Sequence, residues 1–209
     1  MPGTGRDSHR GTRAAARSSV HAHPRVVLPV RRWLQTEPYS CGAAVLKIVL
    51  DSLGMEREEE ALMALAGTNP RTGTQPDGLR RALDALGVVH EVVEPGDIHL
   101  LEARISRLEY CIVDYQAWGR RGREFHDLRT GHYSVAFGFD PTHLLLADPA
   151  KKPLGPAPGW GVRTIRKDLF RSRWRDRGPG GLRTHRWMLC VPAHQHRPTT
   201  SLATPDAPG

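Results

Sequence analysis

One cysteine in this chain stands where a thiol could act as a nucleophile. Cys41 follows Pro38 and Ser40 and precedes the apolar run Gly-Ala-Ala-Val-Leu-Lys-Ile-Val-Leu. This pattern predicts a buried helix with Ser40 as its N-cap and Gly54 at its end, so that Cys41 lies in the first turn. The dipole and the unpaired N–H groups of a helix N-terminus favour a thiolate over a thiol. The alternative is a small buried core residue, since free cysteine is among the most buried residue types.

A histidine and an aspartate far downstream could supply a base and the group that orients it. Residues 132–139 and 143–147 have the composition of two strands, joined by the turn sequence Asp-Pro-Thr. A hairpin centred on Asp140 sets His132 directly opposite Asp148, where the two side chains can form a hydrogen bond. A carboxylate there would fix the imidazole tautomer, as in a nucleophile–base–acid triad. An ordinary cross-strand pair would show the same sequence pattern.

Together these segments resemble the bacteriocin-processing, double-glycine leader peptidases, a family of papain-like cysteine peptidases. The resemblance rests on a glutamine six residues before Cys-Gly-Ala-Ala, followed in order by His-Tyr-Ser-Val, Gly-Phe-Asp and Asp-Pro-Ala. It implies that Cys41 is the nucleophile and that His132 is the general base, oriented by Asp148. By the same resemblance Gln35 is an oxyanion-hole donor. A glutamine amide suits that role because it offers N–H donors without a charge.

The activity that the resemblance implies is cleavage of a precursor peptide after a small residue or a glycine pair, through a thioester on Cys41. Two alternatives stay open. An acyltransferase would use the same residues, with an amine instead of water resolving the thioester. A non-catalytic module would bind a polyanion through the basic residues 163–186. Because arginine supplies most of the basic residues throughout the chain, we do not expect a nucleic-acid partner.

Many members of that family form the N-terminal part of a membrane exporter. This sequence has no run near twenty apolar residues and no Gly-x-x-x-x-Gly-Lys-[Ser/Thr] phosphate loop, so we expect a standalone peptidase and any exporter as a separate partner. We expect no metal or other cofactor, because only His194 and His196 form a close histidine pair and they lack Cys or acidic neighbours. Three cysteines without Cys-x-x-Cys spacing, and no secretory signal, indicate the reducing cytoplasm.

Length and composition suggest one catalytic domain with two tails. The chain has 209 residues and a formal net charge of +8. Residues 1–30 and 193–209 show little apolar periodicity, so we expect disordered tails on either side of a domain at 31–192. Helices are expected at 41–53, 56–66, 79–86, 97–107 and 168–174, and strands at 88–93, 111–115, in the hairpin and at 187–191. Helices first and antiparallel strands later predict an α+β, papain-like fold, with the nucleophile helix packed on a C-terminal antiparallel sheet.

Overall fold

The computed structural model describes residues 25–118, 131–151, 160–178 and 181–195. The helices within these ranges are α1 (Cys41–Ser52), α2 (Glu59–Ala66), α3 (Pro76–Ala85), α4 (Ile98–Ser106) and α5 (Lys167–Arg173). The strands are β1 (Val26–Val27), β2 (Glu91–Val93), β3 (Glu109–Gln116), β4 (Gly131–Phe139), β5 (His143–Ala147), β6 (Val162–Arg166), β7 (Arg175–Arg177), β8 (Arg183–His185) and β9 (Met188–Pro192). The predicted α+β class is confirmed.

The strands form one seven-stranded sheet and a separate hairpin. The main sheet has the order β2-β9-β3-β4-β5-β6, β1 pairs with the far end of β4, and each of these pairings is antiparallel. The hairpin consists of β7 and β8. β3 and β4 lie at the centre and are buried along almost their whole length. Both faces of these two strands must therefore be covered by other elements.

Helices cover both faces of the central strands. Successive side chains of a strand point to opposite faces, so Tyr110 and Tyr115 of β3 lie on opposite faces of the sheet. Tyr110 contacts Ser52 at the end of α1. Tyr115 packs against Phe170 of α5, with ring centroids 5.4 Å apart. The helix that begins at Cys41 therefore lies on one face of the sheet and α5 on the other.

The first helix is almost completely buried, as its apolar sequence predicts. It ends one residue before the predicted end, and Gly54 follows with a positive φ of 73°. Lys47 is the charged residue on its buried surface. Its ammonium group lies 3.1 Å from the Asp51 carboxylate and donates to the Arg57 carbonyl at 2.7 Å. The buried charge is thus paired, which a helix apolar on nearly all sides requires.

The edges of the domain lie outside the predicted boundaries. Residues 25–30 were expected in a disordered tail, whereas Val26–Val27 form β1 and Leu28 is buried in the core. At the other end, the Ala193 amide donates to the Leu108 carbonyl at 2.8 Å. A two-residue strand is too short to produce a periodic pattern, which explains why the sequence did not reveal it. The remainder of both predicted tails lies outside the described residues.

Three further strands were not predicted, namely β6, β7 and β8. Their sequences are Val-Arg-Thr-Ile-Arg, Arg-Asp-Arg and Arg-Thr-His, in which arginine hides the apolar alternation. The predicted basic block therefore contains a sheet edge and a hairpin that packs against the central strands. Among the described helices, none is long and apolar enough to cross a lipid bilayer.

Candidate active site

The loop that leads into α1 is anchored on a buried glutamate of α2. Glu59 is only 3% exposed and accepts hydrogen bonds from the Trp33 indole and the Ser40 hydroxyl, both at 2.6 Å. It also accepts the Thr36 amide at 3.1 Å. The sequence indicated only an acidic residue near the start of a helix, so this function of Glu59 was missed. Three donors on one carboxylate fix the course of the loop before Cys41.

Ser40 is the N-cap of α1, but its side chain does not cap the helix. Its hydroxyl is directed to Glu59, and the first helical hydrogen bond runs from the Ala44 amide to the Ser40 carbonyl at 2.9 Å. The amide groups of the first turn are therefore not paired with the cap side chain. Cys41 lies at this position, half-buried, with the positive end of the helix dipole beside it.

The glycine after Cys41 is required by a close contact. A Cβ atom at Gly42 would lie 2.8 Å from Cγ2 of Thr74, and closer still to other atoms of that side chain. Thr74 is buried and belongs to the segment between α2 and α3. This segment lines a cleft of about 700 Å³ into which Cys41 opens. The glycine after Cys41 thus allows the cleft wall to pack directly on α1.

His132 and Asp148 form a buried hydrogen-bonded pair. His132 Nε2 lies 2.8 Å from Asp148 Oδ1, and His132 is 1% exposed. The Ala150 amide also donates to Asp148 Oδ1 at 2.9 Å. The Trp118 ring packs edge-on against the imidazole, with centroids 4.6 Å apart. The imidazole is therefore held from several sides, and its Nδ1 atom, which makes no hydrogen bond of good geometry, is the nitrogen left for Cys41.

The charges around His132 favour its protonated form. Burial alone lowers the pKa of this imidazole, but the hydrogen bond to Asp148 and the interaction with Cys41 outweigh burial and raise the pKa to about 9. Burial raises the pKa of Asp148, but the His132 hydrogen bond, the His132 charge, the Ala150 amide and Arg163 together hold it below its usual value. The pair is thus arranged as an imidazolium and a carboxylate at neutral pH.

The hairpin brings this pair together in a register that differs from the predicted one. Phe139 pairs with Leu144, whereas Val135 pairs with Ala147, so β4 contains one extra residue between them. That residue is Phe137, a β-bulge. The turn also differs, since the Asp140 amide donates to the His143 carbonyl and the loop is Pro-Thr rather than a turn centred on Asp140.

Direct opposition of His132 and Asp148 is therefore wrong by two residues. The observed register, continued by one residue beyond Ala147, sets Asp148 beside Ser134. His132 is two residues from Ser134 on the same face, so the two side chains meet diagonally. Without the bulge, the register of the turn would set Asp148 beside Val135 and on the opposite face. The turn and the bulge compensate each other, which keeps both residues on one face.

Gln35 lies beside the segment that carries Asp148. Its backbone amide donates to the Pro149 carbonyl at 2.8 Å, and its side-chain Nε2 donates to the Glu37 carbonyl at 2.7 Å. The side-chain Oε1 is buried without a hydrogen-bond partner. Gln35 is not among the residues that line the cleft around Cys41. One N–H of its amide is thus engaged in the loop, and the second remains for another acceptor.

The cleft also contains acidic residues that the sequence analysis did not identify. Asp114 of β3 and Asp176 of β7 line it together with Cys41, His132 and Tyr133. Asp114 lies inside an otherwise apolar strand and Asp176 stands between two arginines, so neither has a local sequence signal of a site. Their proximity arises only from the packing of the β7–β8 hairpin on β3 and β4. Among the described residues, no three His, Cys, Asp or Glu side chains are grouped as metal ligands.

Comparison with known proteins identifies the class to which this fold and cleft belong. Residues 30–175 match the family model of the Peptidase C39 family, and the chain belongs to that family. It is a cysteine-type peptidase, so the non-catalytic alternative is set aside.

Two sequence relatives contain a region similar to this domain. An uncharacterized protein of Methanothermobacter marburgensis is 33% identical over 138 residues, which are 65% of this chain and 77% of that protein. A lactococcin transport/processing ATP-binding protein, LcnC-like, of Lactococcus lactis is 27% identical over 140 residues. That match covers 67% of this chain but only 17% of the transporter. The shared part is thus a domain of the larger protein.

Solved structures share the fold. The peptidase domain of Streptococcus ComA, a bifunctional ABC transporter, has a TM-score of 0.56 and 24% identity, over 77% of this chain and 96% of that domain. A double glycine motif protease from an AMS/PCAT transporter, in complex with the leader peptide, has a TM-score of 0.54 and 19% identity, over 80% of this chain and 94% of that chain. A C39-like peptidase from Bacillus anthracis has a TM-score of 0.57 and 13% identity, over 83% of this chain and 100% of that chain. At these identities the likeness concerns the fold.

Proposed function

We propose that this peptidase cleaves a precursor peptide after a glycine pair or another small residue, through a thioester on Cys41. The observation that supports the chemistry is the buried His132–Asp148 pair at 2.8 Å beside a cysteine in the first turn of α1. The substrate class is supported by relatives that act in lactococcin processing and on a double-glycine leader peptide.

In the proposed mechanism His132 takes the proton of Cys41 and the thiolate attacks the carbonyl carbon of the scissile bond. Asp148 keeps the imidazolium in place. The oxyanion accepts hydrogen bonds from the Cys41 backbone amide and from the Gln35 side chain. The imidazolium then protonates the departing amine. Water, deprotonated by the neutral imidazole, attacks the thioester and releases the acid product and the thiol.

The remaining cysteines are consistent with action in a reducing compartment, which we propose to be the cytoplasm. Cys111 of β3 and Cys190 of β9 are buried cross-strand neighbours with their sulfur atoms 3.6 Å apart, and both are free thiols. Reducing conditions would maintain this pair and the proposed nucleophile alike in the thiol form.

The proposal is tested with a panel of peptides that contain a central glycine pair, each matched by a peptide with two valines in its place. We expect cleavage directly after the glycine pair and none in the valine peptides, as identified by mass spectrometry. An added amine such as hydroxylamine separates the two fates of the thioester, because an acyltransferase would give mainly the amine adduct at low amine concentration. Cleavage at sites unrelated to small residues would contradict the proposed substrate class.

Gln35→Ala is expected to reduce kcat by about 10²–10³, the usual effect of losing one oxyanion donor, with a smaller change in KM. Gln35→Glu should be at least as harmful, because it sets a negative charge against the developing oxyanion. The matched control is Gln75→Ala, since Gln75 lines the cleft and donates to the Thr72 carbonyl. Steady-state kinetics of the three variants checks this expectation, and wild-type kcat in both Gln35 variants would assign Gln35 to the loop alone.

A further inference from the structure

Two carboxylates lie in the cleft without a role in the proposed chemistry. Asp114 is 2% exposed, and its Oδ2 accepts the Thr184 hydroxyl at 3.0 Å while its Oδ1 is buried without a partner. Asp176 Oδ1 accepts the Gln116 amide at 2.6 Å. Both residues line the same cleft as Cys41. A buried carboxylate oxygen without a hydrogen-bond partner, in the wall of an open cleft, can accept a hydrogen bond from a bound ligand.

The Asp176 carboxylate is held against Gly131, the residue that precedes the proposed base in β4. A Cβ atom at Gly131 would overlap the Asp176 carboxylate, so the glycine before His132 gives this side chain its space. Asp176 belongs to β7, which packs on β3 and β4. The charges of Cys41 and His132 act on the Asp114 carboxyl group, so the two carboxylates belong to the part of the cleft that contains the proposed nucleophile and base.

The pair has no cationic partner among the described residues. No lysine or arginine there forms a salt bridge with either carboxylate, and the positive charge that acts on Asp114 is that of His132, which is paired with Asp148. Arg71 and Arg177 also line the cleft but pair with neither acid. Within the described part of the chain, the two carboxylates of this cleft wall thus have no cation to balance them, which is costly unless they take up protons or a ligand neutralises them.

The pKa values of the two carboxyl groups reflect this cost, because burial raises both of them. Burial, followed by the charge of Asp176, raises the pKa of Asp114 well above its usual value. Burial also raises the pKa of Asp176, to about 6. A positive charge between them would reverse both effects and would gain the full attraction of two desolvated anions.

We propose that Asp114 and Asp176 form a subsite for a cationic side chain, lysine or arginine, of the peptide that binds in this cleft. The cation lies within a few residues of the scissile bond and donates to the free Oδ1 of Asp114 and to the Asp176 carboxylate. This subsite rests on the proposed function in that the ligand is a peptide. It adds a charge requirement to the small residues at the cleavage site.

The test measures binding separately from cleavage. Fluorescein-labelled peptides with a central glycine pair carry lysine, norleucine or glutamate at one position, which moves from three residues before the pair to three residues after it. Their Kd values for full-length Cys41→Ala protein are measured by fluorescence polarisation at pH 8, above the Asp176 pKa. At one or two positions we expect lysine to bind about tenfold tighter than norleucine, and glutamate to bind weakest.

Variants then assign the preference to the two carboxylates. Asp114→Asn and Asp176→Asn, each in the Cys41→Ala background, should bring the lysine-to-norleucine ratio close to one. Glu60→Gln, which removes an exposed charge of α2, should leave the ratio unchanged. Thermal melting followed by circular dichroism confirms that each variant is folded. The comparison of lysine, norleucine and glutamate peptides uses protein with both aspartates intact, so it does not depend on the folding of the Asp variants.

The outcomes separate this inference from the proposed function. A lysine preference without cleavage by the wild-type protein would support the subsite and refute the proposed reaction. Cleavage after glycine pairs with equal binding of lysine and norleucine would refute the subsite alone. A preference for glutamate, a ratio that the Asp variants retain, or no binding at any position would overturn the inference.

Discussion

Cys41→Ser is expected to reduce peptide cleavage by about 10⁴-fold or more while leaving the fold intact. A serine hydroxyl is a much weaker acid and a poorer nucleophile than a thiol. His132 would have to remove the hydroxyl proton during the attack itself, which a site arranged for a thiol does not favour. The rate of peptide cleavage and a thermal melt measure the two parts of this prediction.

The control for this variant is Cys190→Ala, which removes a buried core thiol. It should lower stability but retain the wild-type kcat. Iodoacetamide at pH 6 should label Cys41 ahead of the other two cysteines, because those are fully buried and burial raises the pKa of Cys111. Cleavage by the serine variant at a wild-type rate would exclude Cys41 as the nucleophile. Equal labelling of all three thiols in the native protein would remove the argument that the helix N-terminus activates this thiol.

Asp148→Asn is expected to lower kcat by about 10⁴, because the amide removes the carboxylate that fixes the imidazole tautomer. It should also change the pH profile. With its pKa raised to about 9, His132 stays an imidazolium below that pH, so kcat/KM of the wild type falls as the pH rises through about 9. Without the Asp148 charge and hydrogen bond the imidazole pKa drops, and this basic limb moves to lower pH.

Asp168→Asn is the matched control, since Asp168 is exposed and its partners among the described residues are Arg166 and the Leu169 amide, both at the start of α5. Its kcat and basic limb should equal those of the wild type. A fully active Asp148→Asn protein with an unchanged pH profile would show that another group orients His132. A loss of kcat with an unmoved basic limb would assign Asp148 a structural role only.

Local sequence patterns were sufficient to find the fold class, α1 and the hairpin. The apolar run after Cys41 and the alternation on either side of Asp-Pro-Thr are signals within one element, and both elements formed nearly where predicted. The register was wrong because a bulge leaves no trace in an alternating pattern. Phe137 is simply one more apolar residue in a strand that is buried on both faces.

The acidic wall of the cleft could not be predicted for a different reason. Asp114 and Asp176 are about sixty positions apart and come from strands that pair with different neighbours. Their meeting depends on how the β7–β8 hairpin packs on the central sheet, and no local signal predicted that hairpin. The hydrogen bonds to Glu59 were also not predictable from local sequence, since their donors lie in a loop about twenty residues earlier in the chain. Tertiary packing, not composition, creates these sites.

The Glu59 anchor makes the thiol and α2 members of one cooperative unit. Local opening of α2 removes the acceptor that holds the Thr36 amide and the Ser40 hydroxyl, and the loop before Cys41 loses its fixed course at the same time. Hydrogen exchange of the α2 amides and loss of thiol reactivity should therefore have the same opening free energy. The reactivity of Cys41 would then report local unfolding of α2, although no residue of that helix lines the cleft.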